Sequence, residues 1–165
     1  MIKKKVLRRK NPHLKDIKKY LQLNSVKFKK IGFGVEADVY YFKINDPIII
    51  NAELVQEGEY VLKLFRKDIT LKSIEYSDIL SAYGLIPKIY VITKKYIIMK
   101  YIDGKTLANI KDDLSVSQLN YINEKIDNLD EIWRKLGFRH WDLTSGNILI
   151  SKDLKRVYFI DPFLP

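Results

Sequence analysis

The stretch HWDLTSGNIL, His140 to Leu149, places Asp142 and Asn147 with four residues between them, behind a histidine and ahead of an apolar run. A carboxylate and an amide oxygen are hard donors of the kind Mg²⁺ accepts while keeping its other positions for water and phosphate. A third such group follows: NILI and VYFI read as two short strands joined by the charged turn SKDLKR, and the second ends in Ile160-Asp161. The commonplace explanation is an Asx-type turn at Asp142 and a strand-end cap at Asp161. His-x-Asp-x4-Asn, two short strands and Ile-Asp in that order is a long pattern to meet by chance, so a metal and phosphate site is the better reading.

Two further features carry possible chemistry. IGFGVEADVY, Ile31 to Tyr40, lies between two strand patterns, where glycines let backbone N–H groups come close to a polyphosphate. A glycine pair in a hairpin is more often only a turn, and the run is neither a P-loop nor a dinucleotide fingerprint, because no helix follows. Lys63, within VLKLF, is flanked by apolar residues on a strand. If it points inward its ammonium needs an anion nearby, whereas strand alternation can equally send it to solvent, the commoner outcome. Glu75, on the following helical pattern, is a possible partner, although a glutamate exposed on a surface helix is the commoner outcome.

The elements that must position these residues follow from periodicity. Asn11-Pro12 reads as a cap and first helical position, with Leu14, Ile17, Tyr20 and Leu21 at helical spacing. VKFKKI and ADVYYFKI are strands, Asn45-Asp46-Pro47 is a turn, Ile48 to Leu54 is extended, and EYVLKLF is a further strand. Asp68 to Tyr83 is a helix closed by Gly84. KIYVI and YIIMKYI return to strand character, and Ser117 to Leu136 is the longest helix, stopped by Gly137. The expected fold class is α+β: an antiparallel sheet with one inserted helix, then a smaller helical region ending in a hairpin.

In this order, GxGxEAxVY, VLKLF, Glu75, YIIMKYIDG, HWDLTSGNIL and YFID resemble the protein-kinase-like fold. The version is atypical and looks most like the RIO kinases and the small kinase subunit of the KEOPS complex, with their short bacterial and archaeal relatives. The resemblance spans about Val26 to Phe163. It implies a basic tail and leading helix over 1–25, an N-lobe over 26–102, and a much reduced C-lobe over 103–165 with the catalytic loop and metal-binding hairpin.

Carried over by position, it implies ATP and Mg²⁺ as cofactors. Ile31, Gly32, Gly34, Glu36 and Val39 would line the nucleotide from the glycine-rich loop, Lys63 would hold the α/β-phosphates, and Glu75 would orient Lys63. Beyond a gatekeeper-like Met99, the backbone from Lys100 to Ile102 would face adenine. Asp142 would accept or orient the proton of the attacking hydroxyl, His140 would brace its loop, and Asn147 and Asp161 would hold the metal. The pattern departs from ordinary kinases at Trp141, where arginine is usual, at Ala37, where a third glycine is usual, and at Pro162-Phe163, where Phe-Gly is usual. Only four residues follow Asp161, so no activation segment or peptide-docking platform is expected. The stripe around Trp133, Phe138, Phe159 and Phe163 must then be buried internally, or against a second copy or another protein.

Composition bounds the partners. At 165 residues the chain can bury a core of its own, and 47% hydrophobic residues exclude a disordered class. With no cysteine there are no disulfides, thiolate metal sites or cysteine nucleophiles, and a reducing compartment is the default. No apolar run approaches the ~20 residues of a membrane span, and the basic N-terminus lacks the apolar stretch of a signal peptide, so a cytoplasmic location is expected. Net charge of +10 attracts phosphate-bearing partners, although scattered lysines also serve simply as a solvated surface. The leading reading is an ATP- and Mg²⁺-dependent Ser/Thr protein kinase. The alternatives are a nucleotide-binding pseudokinase or ATPase subunit of a larger assembly, one serving RNA included, and a small-molecule kinase.

Overall fold

The computed structural model describes residues 16–33, 36–138 and 143–160. Its first helix, α1 (Ile17–Leu23), is capped by Asp16, whose side chain accepts from the Lys19 amide at 3.0 Å. Asp16 thus caps α1, and the start expected at Asn11-Pro12 lies outside the described residues. Asp16 offers what a cap requires, a carboxylate oxygen for an otherwise unbonded first-turn N–H.

Strands β1 (Phe28–Phe33), β2 (Ala37–Ile44), β5 (Gly58–Phe65), β6 (Ile89–Ile92) and β7 (Tyr96–Lys100) form one antiparallel sheet in the order β1-β2-β5-β7-β6. Between β2 and β5 the expected extended run Ile48 to Leu54 is in fact a hairpin, β3 (Ile48–Ile50) and β4 (Glu53–Val55). Its two-residue turn holds Asn51 and Ala52 at φ 50° and 67°. Two left-handed residues match the twist of a tight hairpin, and alanine hides that signal because it seldom adopts this conformation.

Register divides the sheet into two faces. Phe42, Ile44, Tyr60, Leu62, Tyr96 and Ile98 share the back face and pack with Ile17 and Leu21 of α1 and with Ile50 and Val55 of the hairpin. Full burial of each aliphatic side chain there stabilises by about 1.5–3 kcal/mol. Residues one step along each strand, Val39, Lys63 and Ile97, then Tyr41, Val61 and Met99, form two rungs on the front face.

Helix α2 (Leu71–Ala82) links β5 to β6 and starts at Thr70, whose hydroxyl accepts from the Ser73 amide at 3.1 Å. Beyond β7, β8 (Gly104–Thr106) and α3 (Leu107–Ile110) precede α4 (Val116–Lys135). Strand β8 joins β9 (Ile148–Ser151) and β10 (Val157–Phe159) in a three-stranded sheet, so the second lobe holds more strand than a helix and a hairpin. Helix α4 is fixed by a capping box between Ser115 and Gln118 and closes at Gly137, φ 78°. Trp133 and Phe159 are fully buried within the chain, their rings 5.7 Å apart, and Phe138 packs between Trp133 and Tyr76 of α2. That part of the aromatic stripe is covered internally; Phe163 lies outside the described residues.

Candidate functional site

Lys63 sits on β5, the central strand, and alternation decides its direction: Leu62 is wholly buried on the back face, so Lys63 projects from the front. It is half-buried in line with Val39 and Ile97, and its ammonium lies 5.8 Å from the Phe65 ring centroid. One rung away, Val61 and Met99 are also half-buried. A flat apolar patch with one cation at its end can cover a planar ring while charge is balanced farther along.

The described residues of the glycine-bearing hairpin lie at this end of the sheet. Gly32 pairs with Val39 across a bulge that leaves Ile31 out of register and 47% exposed. A Cβ added at Gly32 would stand 3.6 Å from the Val39 Cβ, an ordinary contact, so folding does not demand glycine there. Glu36 is exposed, and its carbonyl accepts from the Arg66 amide at 2.9 Å. Gly34 lies outside the described residues.

An ion cluster not anticipated from the sequence braces the base of this hairpin. Asp38 receives Lys30 at 3.0 Å and Arg66 at 3.2 Å. The Lys30 bond first, and then Arg66, holds its carboxyl below the usual range. The alternation of lysines with apolar residues in VKFKKI gave only a faint hint of it.

At the far end of the patch, after Met99, the backbone turns from the sheet into β8. The Lys100 amide donates to the Lys88 carbonyl at 2.8 Å and the Tyr101 amide to the Glu59 carbonyl at 3.1 Å. Of the expected segment Lys100 to Ile102, two amides are thus engaged within the fold, and the Ile102 amide is the remaining backbone donor. Tyr101 packs edge-on against Tyr41 at 4.8 Å, and the Tyr41 hydroxyl donates to Glu59 at 2.6 Å, which raises the Tyr41 pKa.

Glu75 is exposed on α2 and makes no ion pair with Lys63. The buried side of α2 is instead Ser73, Ser77 and Leu80, while Leu71, Ile79 and Tyr83 accompany Glu75 outward. The expected pairing is thus not made in this conformation.

Asn147 closes a short 3-10 turn, Ser145–Asn147, immediately before β9. Both its backbone groups are engaged: its amide donates to the Thr144 carbonyl at 2.9 Å and its carbonyl accepts from the Ile160 amide at 2.9 Å. The side chain therefore springs from a fixed backbone, and the bond to Ile160 ties the start of β9 to the end of β10. A second bond, from the Phe159 amide to the Leu85 carbonyl at 2.8 Å, ties that end to the connection between α2 and β6. His140, Asp142 and Asp161 lie outside the described residues. Among the described residues no cluster of three or more His, Cys, Asp or Glu occurs, and no helix is long and apolar enough to cross a membrane.

Compared with protein-family models, residues 67–162 match the RIO domain, more than half of the chain. The match includes α2, Met99 to Ile102, Asp142, Asn147 and Asp161, and begins just past Lys63 and the glycine-bearing hairpin. No curated protein matches the chain. The fold is α+β, a reduced form of the kinase-like architecture.

Proposed function

The chain belongs to the RIO family of atypical kinases and ATPases, and from that premise we propose that it is a minimal ATP- and Mg²⁺-dependent Ser/Thr protein kinase of the cytoplasm. The observation that carries this reading is the bond between Asn147 and Ile160, which joins the turn after the catalytic loop to the residue before Asp161.

The proposed roles use this chain's own groups. Val39, Val61 and Met99 cover the adenine, the Lys100 carbonyl and Ile102 amide bond its edge, and Ile31, Gly32, Gly34 and Glu36 cover the phosphates. Lys63 balances charge on the α/β-phosphates. Asp142 takes the proton of the acceptor hydroxyl as its oxygen bonds to the γ-phosphorus and the bond from that phosphorus to the β-bridging oxygen breaks. The donor chemistry of Asn147 and Asp161, one amide oxygen and one carboxylate, fits Mg²⁺, which when bound neutralises phosphate charge. Such transfer requires positioning and charge balance more than covalent catalysis.

Asp142→Ala is expected to lower γ-phosphate transfer by at least ~10²-fold while leaving ATP affinity unchanged, read by radiolabel transfer and by calorimetric titration. Full activity in that variant would remove Asp142 from its role. The outward position of Glu75 favours a second reading, a nucleotide-binding regulatory subunit with ATPase activity or none. Binding of ATP without transfer to any hydroxyl, the chain's own included, would decide for it.

A further inference from the structure

Between α1, the 24–27 connection and the edge strand β1 lies an open groove of about 810 Å³, on the face of the sheet away from Lys63. Lys18, Lys27 and Lys30 line it, with Gln22, Phe28 and Tyr40 between them, and no acidic residue is among the described residues that line it. The Lys18 ammonium stands 4.1 Å from the Tyr40 ring centroid and 5.9 Å from that of Phe28. An aromatic face holds a cation in place without neutralising it. Lys18 and Lys27 make no ion pair among the described residues, and Lys30 is paired with Asp38, which also receives Arg66.

We propose that this groove seats the phosphodiester backbone of a single-stranded nucleic acid, at a site separate from the nucleotide cleft. Lysines on an edge strand also deter unwanted strand pairing, which accounts for those of β1 but not for Lys18, on a helix and aimed over a ring. The groove is concave, whereas an anionic lipid surface favours a protruding apolar face. Residues 1–15, which lead into α1, carry seven more Lys and Arg in sequence and add to the attraction for a polyanion. The site takes the linear phosphate array, with the amide of Gln22 beside it, and reads no base.

The test is fluorescence anisotropy of the full chain with a labelled 12-nucleotide RNA from 50 to 300 mM salt. Each phosphate contact contributes about 0.7 to the slope of log affinity against log salt, so Lys18→Gln/Lys27→Gln should lower that slope by about 1.4, with roughly tenfold weaker binding at low salt. Lys18→Arg/Lys27→Arg, which keeps the charge, should bind as wild type, as should Lys94→Gln/Lys111→Gln, which removes two exposed lysines elsewhere. ATP affinity and melting temperature should be unchanged in all three. The proposal is overturned if wild type fails to bind RNA, if the Lys94/Lys111 variant loses as much as the groove variant, or if vesicles rich in phosphatidylserine are bound and RNA is not.

Discussion

The two faces of the five-stranded sheet are built from the same strands and put to opposite uses. On the back, Phe42, Leu62 and Ile98 are fully buried under α1 and the β3–β4 hairpin, and burial pushes the Tyr96 phenol up to about 12. On the front, Val39, Val61, Lys63 and Met99 stay half-covered. In a two-sided sheet one face can carry the stability, and the other is then free to keep a cation and an apolar patch accessible. Alternation along β5 makes the division sharp enough that neighbouring residues should have unrelated phenotypes.

The strongest break of this comparison lies at one such neighbour pair. Lys63→Met should reduce γ-phosphate transfer by about 10²–10³-fold, the usual cost of losing one preorganised charge-stabilising group, with unfolding free energy within about 0.5 kcal/mol of wild type. Loss of the fold in Lys63→Met would refute the division. Leu62→Ala, one residue earlier and facing the other way, should destabilise by about 2–5 kcal/mol in urea unfolding, with activity per folded molecule preserved. A mutant that stayed stable but inactive would refute it from the other side.

A smaller effect sharpens the picture of the back face. Ala52→Gly relieves a left-handed residue in the turn of the covering hairpin and should stabilise by about 0.5–1 kcal/mol; an unchanged urea midpoint would show that the turn is not strained. The smallest effect is expected at Asp38, which is exposed to screening by solvent. Its folded pKa lies below the ordinary ~3.9, so its contribution is present above that value and is lost as pH falls through the folded pKa. Melting temperatures of wild type and Asp38→Asn should therefore differ at neutral pH and converge below about pH 4; a constant gap would show that the carboxylate's charge is not the cause.

Much of this arrangement was legible in the residues themselves. ADVYYFKI is β2 to the residue, and the apolar stripe of α4 fixed that helix to within one residue at each end, because eight alternating and twenty periodic positions leave little freedom. GKT, in contrast, has no apolar alternation, so β8 emerges only from its pairing with β9. The direction of Lys63 was ambiguous until Leu62 was seen to be buried opposite. The ion pair expected from Glu75 depended on how α2 is rotated, and its buried serines, small and polar, gave the hydropathy pattern nothing to read. At Gly34, Asp142 and Asp161 the chemistry rests on residue type and order alone.

Gly104 shows how tightly the second lobe's sheet is closed. A Cβ there would fall 2.1 Å from the Ile150 carbonyl oxygen, so β8 presses on β9 at a distance only glycine allows. One residue earlier, the Asp103 carbonyl accepts from the Lys152 amide, and two residues before that the Tyr101 amide is still bonded to Glu59. Along the covalent path between the halves, only Ile102 is left unclamped. The main chain between the two sheets is thus held on both sides of one residue, Ile102.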